Sequence, residues 1–305
     1  MAPPPLPYVA VAESFKLPPG ANFGGTAGVA FNSAGNIFVI HRGPMPLMEF
    51  DPDGHFIRGF GDGLFDRPHG LRIDADDNIW ATDVAANLVY KFNPSGRLEM
   101  VLGVKGHTGE WHPFGHLRLF HEPNEAVVGP SGDIFVLQGH GKGEPCVLKF
   151  DRDGTFIKTW GGKGKGPGEF DLPHSLVFDA QGLLYIADRN NARIQVFDAD
   201  GSYIRESQHP GAPCGLFMGA DQVHCRGKRR HRKAPGIGPG IGQAESVACT
   251  SLALSQATQR LLLNSSTFLN CSRSFSSYPS NTRVRTISYR LSRRSTSTSV
   301  TSSPM

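Results

Sequence analysis

Short apolar stretches alternate with polar turns along the first two thirds of the chain, and the alternation repeats. GVAFNSAGNIFVIHRG begins at Gly28, HGLRIDADDNIWATDVA at His69, NEAVVGPSGDIFVLQGH at Asn124 and HSLVFDAQGLLYIADRNN at His174. Each is followed by a second stretch of the same kind: MEFDPDGHFIRGFG, VYKFNPSGRLEMVLG, LKFDRDGTFIKTWG and IQVFDADGSYIRES. Apolar residues two apart, as in Ile134 and Val136 or Ile194 and Val196, predict strands with one face buried. Asp53-Gly54, Ser95-Gly96, Asp153-Gly154 and Asp200-Gly201 predict tight hairpins, where glycine adopts a positive φ without a Cβ clash. Each copy of roughly 35 to 50 residues therefore reads as a four-stranded meander, the unit of a β-propeller blade. A fifth copy starts at Ala212 with PCGLFMGADQ, and after Gln222 the repeat is gone. The expected fold is all-β: an extension over 1–23, four blades and a fragment over 24–221, and a tail over 222–305.

Charge divides the chain at the same place. Gln222–Met305 holds 13 Lys and Arg against one acid, Glu245, whereas Met1–Asp221 has 18 basic and 26 acidic residues, a net −8. The basic, Ser/Arg-rich tail ending STSTSVTSSPM has neither strand period nor turn chemistry and reads as disordered. KRRHRK at Lys228–Lys233 reads as a solvated charge run. A repeat broken in mid-strand before such a tract is what a frame change or a retained intron produces in a gene model, and sequencing the transcript across Asp221 tests this. No apolar run of about 18 residues marks a membrane span, no secretory signal is visible, and the compartment is unknown. The five cysteines, Cys146, Cys214, Cys225, Cys249 and Cys271, have no zinc-type spacing. The Gly-rich run Gly161–Gly168 lacks the GK[ST] ending of a phosphate loop and follows a hairpin, so it reads as a connection between blades.

HRGPMPLMEFDPDG, GLFDRPHGLRIDADDNIWATD and GEFDLPHSLVFDAQGLLYIADRNNARIQVFDADG together resemble the NHL-repeat propeller of the peptidyl-α-hydroxyglycine α-amidating lyases and their bacterial relatives, over about Gly24–Asp221. The resemblance implies a six-bladed propeller with a central zinc on three histidines. It also implies a lyase that splits a C-terminal α-hydroxyglycine into a peptide amide and glyoxylate, in a family whose members are often secreted. It places two zinc ligands on His69 and His174, an active-site arginine on Arg42, and a structural calcium on the backbone carbonyls of Val29 and Leu71. The third zinc histidine belongs to a later blade, which this chain replaces with its tail.

The residues carry part of this without the family. The first strand of every blade lines the channel, so like positions in different copies converge on the axis. His69 and His174 occupy one such position; each follows Pro, and an Asp, Asp83 or Asp188, lies 14 residues later. Two imidazoles there suit zinc, which takes three protein ligands and an open position in catalytic sites. Asn124 and Cys214 hold the same position in other copies, and the Cys214 thiolate is a candidate third ligand. Alternatively His140, in LQGHG, reaches inward; the family has a catalytic tyrosine in that region, and an imidazole there suits a general base. Arg42 suits a substrate carboxylate, since guanidinium binds one through two parallel hydrogen bonds. His107, His112, His116 and His121 read as a loop insertion, and Asp83 and Asp188 as caps of turns.

The expected partner is thus a small-molecule or peptide substrate in the channel. Two rivals are a non-catalytic propeller that binds a protein and an inactive truncated homologue. The net −8 of the blades argues against nucleic acid.

Overall fold

The computed structural model describes residues 8–12, 14–109, 119–141, 143–219, 223–229 and 289–293. Four antiparallel sheets of four strands follow one another along the chain. The first is β2 (Thr26–Phe31), β3 (Ile37–His41), β4 (Leu47–Phe50) and β5 (Phe56–Phe60); the second is β6 (Pro68–Ile73), β7 (Ile79–Asp83), β8 (Leu88–Phe92) and β9 (Leu98–Leu102). The third is β10 (Pro123–Val128), β11 (Ile134–Gln138), β12 (Cys146–Phe150) and β13 (Phe156–Gly161); the fourth is β14 (Pro173–Phe178), β15 (Leu184–Asp188), β16 (Arg193–Phe197) and β17 (Tyr203–Gln208). A two-stranded sheet of β18 (Gly211–Met218) and β19 (Val223–Arg229) comes next, and β1 (Tyr8–Ala12) pairs with β20 (Tyr289–Arg293). Among the described residues there is no helix, and none is long and apolar enough to cross a membrane.

Each sheet is a meander in strand order, as the repeat predicts, and its second hairpin turns on the expected glycine: Gly54, Gly96, Gly154 and Gly201 all have φ between 81° and 85°. Asp51, Asn93, Asp151 and Asp198 open these turns, each side chain accepting backbone N–H groups two and four residues on. Apolar clusters lie between consecutive sheets. Phe38, Ile40 and Leu47 meet Ile79, Ala81 and Tyr90; Trp80 and Val89 meet Ile134, Val136 and Leu148; Phe135, Leu137 and Val147 meet Leu176, Ile186 and Phe197. Stacking neighbours buries the face that no blade could bury alone.

Two departures from the sequence reading have simple causes. The propeller was expected to stop at Asp221, but β19 extends the fifth sheet to Arg229, because Val223 and Cys225 pack with Leu216, Ala187 and Ile194. The extension over 1–23 is part of the packed structure from Ser14 onward: Phe15, Leu17 and Phe23 cover Val39, Met48 and Phe50 on the outer face of the first sheet. Lys16 N donates to Gly54 O (2.8 Å), tying the segment to the hairpin. The Gly161–Gly168 run is structural, since the amides of Lys165 and Gly166 are taken up by Glu169 Oε2. The tail reading falls, apart from β20, outside the described residues, as do His112, His116 and the part of KRRHRK after Arg229.

Candidate metal centre

The first strands of successive sheets, β2, β6, β10, β14 and β18, pack side by side. Each carries a β-bulge at the same place, just after its first pairs with the neighbouring strand: at Ala27, at His69-Gly70, at Asn124, at His174 and at Cys214. A bulge removes a residue from the ladder and re-aims its side chain. The proline before the bulge at Pro68, Pro123, Pro173 and Pro213 has no N–H to lose. That is why the Pro-His pairs in the sequence mark the bulged residues of the inner strands.

Both bulged imidazoles are oriented by the neighbouring strand. His69 Nδ1 lies 2.9 Å from Asn124 O and His174 Nδ1 lies 2.7 Å from Cys214 O. A carbonyl only accepts, so each Nδ1 carries a proton and Nε2 is the nitrogen left for a metal. Asn124 continues the chain of contacts by donating its Nδ2–H to Pro173 O. The close approach of β6 to β10 needs Gly70, where a Cβ would stand 2.5 Å from Asn124 O and 3.0 Å from Glu125 Cα.

His140, on the connection after β11, completes a group. The rings of His69, His140 and His174 are 4.5, 5.1 and 5.5 Å apart between centroids, and one nitrogen from each lies within 4.8 Å of the other two. It is the one cluster of three or more potential metal-ligating side chains among the described residues. His174 Nε2 is buried with no hydrogen-bond partner. A buried Nε2 without a partner, an Nδ1–H fixed on a carbonyl in two of the rings and three converging imidazoles fit zinc, whose imidazole ligands are usually held by a carbonyl or carboxylate at the other nitrogen. Cys214 is left out of this group: its Sγ is 3.3 Å from Ala212 O, and its contribution is the carbonyl that orients His174.

Arg42 follows β3 on a loop pinned by His41, whose Nδ1 accepts from Gly24 N (2.9 Å) while Nε2–H donates to Met45 O (3.0 Å). Arg42 Nε reaches toward Pro68 O at 3.4 Å, next to His69. Burial holds His69 well below the ordinary imidazole range, and the charges of His174, His140 and Arg42 add to the effect. Burial also lowers His41 and His209. The unfolded chain takes up these protons near pH ~6.5 and the folded one resists them, so stability is full above that pH and is lost as pH falls toward the folded values. Thermal melts should show a lower midpoint at about pH 5.5 than at about pH 8, and a midpoint flat across that window would contradict the burial of these rings.

Sequence reasoning missed a second set of residues on the inner strands. Arg72, on β6, places Nε 2.9 Å from Glu125 Oε1 on β10. Its Nη2 donates to Ser175 Oγ (3.2 Å), Leu176 O (3.2 Å) and Leu216 O (3.0 Å). Glu125 Oε2 accepts from Ser175 Oγ and Leu176 N, and Ser175 Oγ accepts from Leu216 N. Val29 and Leu71 are at the same level: a Cβ on Gly28 would stand 2.9 Å from Leu71 Cβ.

A family model described as a six-bladed β-propeller matches residues 131–224. The fold is that of an NHL-type β-propeller. The propeller is 34% identical over 188 residues to NHL repeat-containing protein 3 of Mus musculus, covering 58% of this chain and 53% of that protein. It is 34% identical over 226 residues to the peptidyl-glycine alpha-amidating monooxygenase of Mus musculus, covering 64% of this chain and 23% of that one. A probable peptidyl-alpha-hydroxyglycine alpha-amidating lyase of Caenorhabditis elegans is 29% identical over 240 residues, covering 70% and 67%. The NHL propeller thus resembles the amidating lyases, while spanning about half the length of NHL repeat-containing protein 3 and under a quarter of the monooxygenase.

Proposed function

We propose that this propeller is a metal-dependent lyase that cleaves a peptidyl-α-hydroxyglycine into a peptide amide and glyoxylate. The observation that carries the reading is the convergence of His69, His140 and His174, two of them with Nδ1 bound to a backbone carbonyl, which leaves Nε2 as the nitrogen for a metal. These three would hold zinc, with His140 from a loop supplying the third nitrogen in place of the general-base role expected for it. An imidazole nitrogen committed to a metal has no lone pair for a proton. Zinc, when bound, supplies a Lewis acid for the substrate oxygen.

In the reaction the carbinolamide hydroxyl gives up its proton, its oxygen forms the aldehyde carbonyl of glyoxylate, and the C–N bond breaks with its electron pair going to nitrogen. The nitrogen takes a proton and leaves as the carboxamide. Arg42, beside His69, would bind the glycine carboxylate through two parallel hydrogen bonds and so set the scissile bond against the histidines. Incubating the zinc-loaded protein with a peptidyl-α-hydroxyglycine or with α-hydroxyhippurate should release glyoxylate, and Arg42→Ala should raise KM for substrates bearing that carboxylate. Purified protein that binds no zinc and releases no glyoxylate above the uncatalysed rate would end this reading.

A further inference from the structure

The resemblance to the amidating lyases implies a structural calcium on the carbonyls of Val29 and Leu71, and the charged side chains on the neighbouring inner strands do not offer the donor set one needs. Calcium takes six to eight oxygens, carboxylates prominent among them. Here the inner-strand carboxylate at this level, Glu125, is committed to Arg72, Ser175 and Leu176 N. The residue after Leu71 is itself a permanent cation. Leu176 and Leu216 stand in their copies where Val29 and Leu71 stand in theirs, and the carbonyls of Leu176 and Leu216 accept from Arg72 Nη2.

We infer that the Arg72 guanidinium, balanced by Glu125, is the built-in structural cation of this propeller axis, binding carbonyls of neighbouring blades in place of a calcium ion. One side chain from the second sheet thereby ties together inner strands β6, β10, β14 and β18. A guanidinium suits the task because its donors fan out in a plane, so one group can serve acceptors on several strands at once. The Glu125 carboxylate, which would otherwise attract a second cation, is already taken by this charge.

The inference stands on Arg72 and its partners and is independent of the proposed lyase activity. It is tested by calcium itself. Calorimetric titration of the desalted wild-type protein with calcium chloride should show no specific binding, and millimolar calcium should leave its melting temperature where millimolar magnesium leaves it. Arg72→Met combined with Glu125→Gln removes both charges without stranding either, takes the donor from the Leu176 and Leu216 carbonyls, and should lower the melting temperature by about 10 °C. Specific calcium binding that stabilises the wild type overturns the inference, and so does a double variant that melts with the wild type. If the variant does not fold, the wild-type calcium titration still decides. Zinc content and glyoxylate release play no part in either measurement, so failure here is distinguishable from failure of the lyase reading.

Discussion

Replacing His174 with alanine should lower zinc affinity by more than about a hundred-fold, because loss of an outer partner of a metal ligand alone costs 10–100-fold. The loss of a donor nitrogen exceeds that. His174 is the most informative of the three rings, since its Nε2 is buried without a partner while its Nδ1 is fixed on Cys214 O. His69→Ala should behave alike. The decisive comparison is between His140→Ala and Cys214→Ser. Zinc held by His69, His140 and His174 is lost in the first and retained in the second, whose carbonyl still orients His174. Competition against a chromophoric chelator measures each affinity, and glyoxylate release should fall in parallel. Tight zinc binding in His140→Ala together with its loss in Cys214→Ser would restore the thiol as third ligand and free His140 for proton transfer.

That comparison also shows where the sequence is and is not legible. His69 and His174 could be read because the repeat puts them at one position and the proline before each marks the bulge. The side chain of His140 was legible as an inward reach but not as a partner of the other two. It lies on a connection outside the repeat, and Gly139 with φ 106° takes the chain in a direction that no periodicity encodes. Arg72 was missed because its acceptors Ser175, Leu176 and Leu216 are 103, 104 and 144 residues away. A signal was present: Arg72 and Glu125 put opposite charges on inner strands at places where the other copies have Ala30, Val127, Val177, Phe217, Gly28, Gly70, Ser175 and Gly215. The end of the propeller was misplaced at Asp221 because one short alternation, Val223 and Cys225, sits at the start of a basic stretch that dominates the local composition.

The largest stability loss should follow from Asp83→Ala. The residue closing the second strand of every full sheet accepts a backbone N–H two places before the inner strand begins. His41 Nδ1 takes Gly24 N, Asp83 Oδ2 takes Asp66 N and Arg67 N, Gln138 Oε1 takes His121 N, and Asp188 Oδ1 takes Asp171 N. Asp83 is fully buried and its other oxygen accepts from Ala85 N and Ala86 N, so a single carboxylate satisfies four amides. Removing it strands several donors at about 1–3 kcal/mol each, less what the loops recover by reaching water. A net loss of about 3–5 kcal/mol is expected, a large part of the 5–15 kcal/mol typical of a folded domain. Gln138→Ala removes an acceptor for one amide, that of His121, and should cost about 1 kcal/mol. Asn at position 83 is a poor rescue, since its amide nitrogen would face two of the four N–H donors. The segment that Asp83 holds, Asp66–Arg67, leads directly into Pro68 and His69, so zinc affinity should fall in Asp83→Ala even at temperatures where it remains folded. Denaturant melts and chelator competition on Asp83→Ala and Gln138→Ala together test the argument. Equal losses of stability in the two variants would show that burial of the side chain, and not the number of amides it caps, sets the cost.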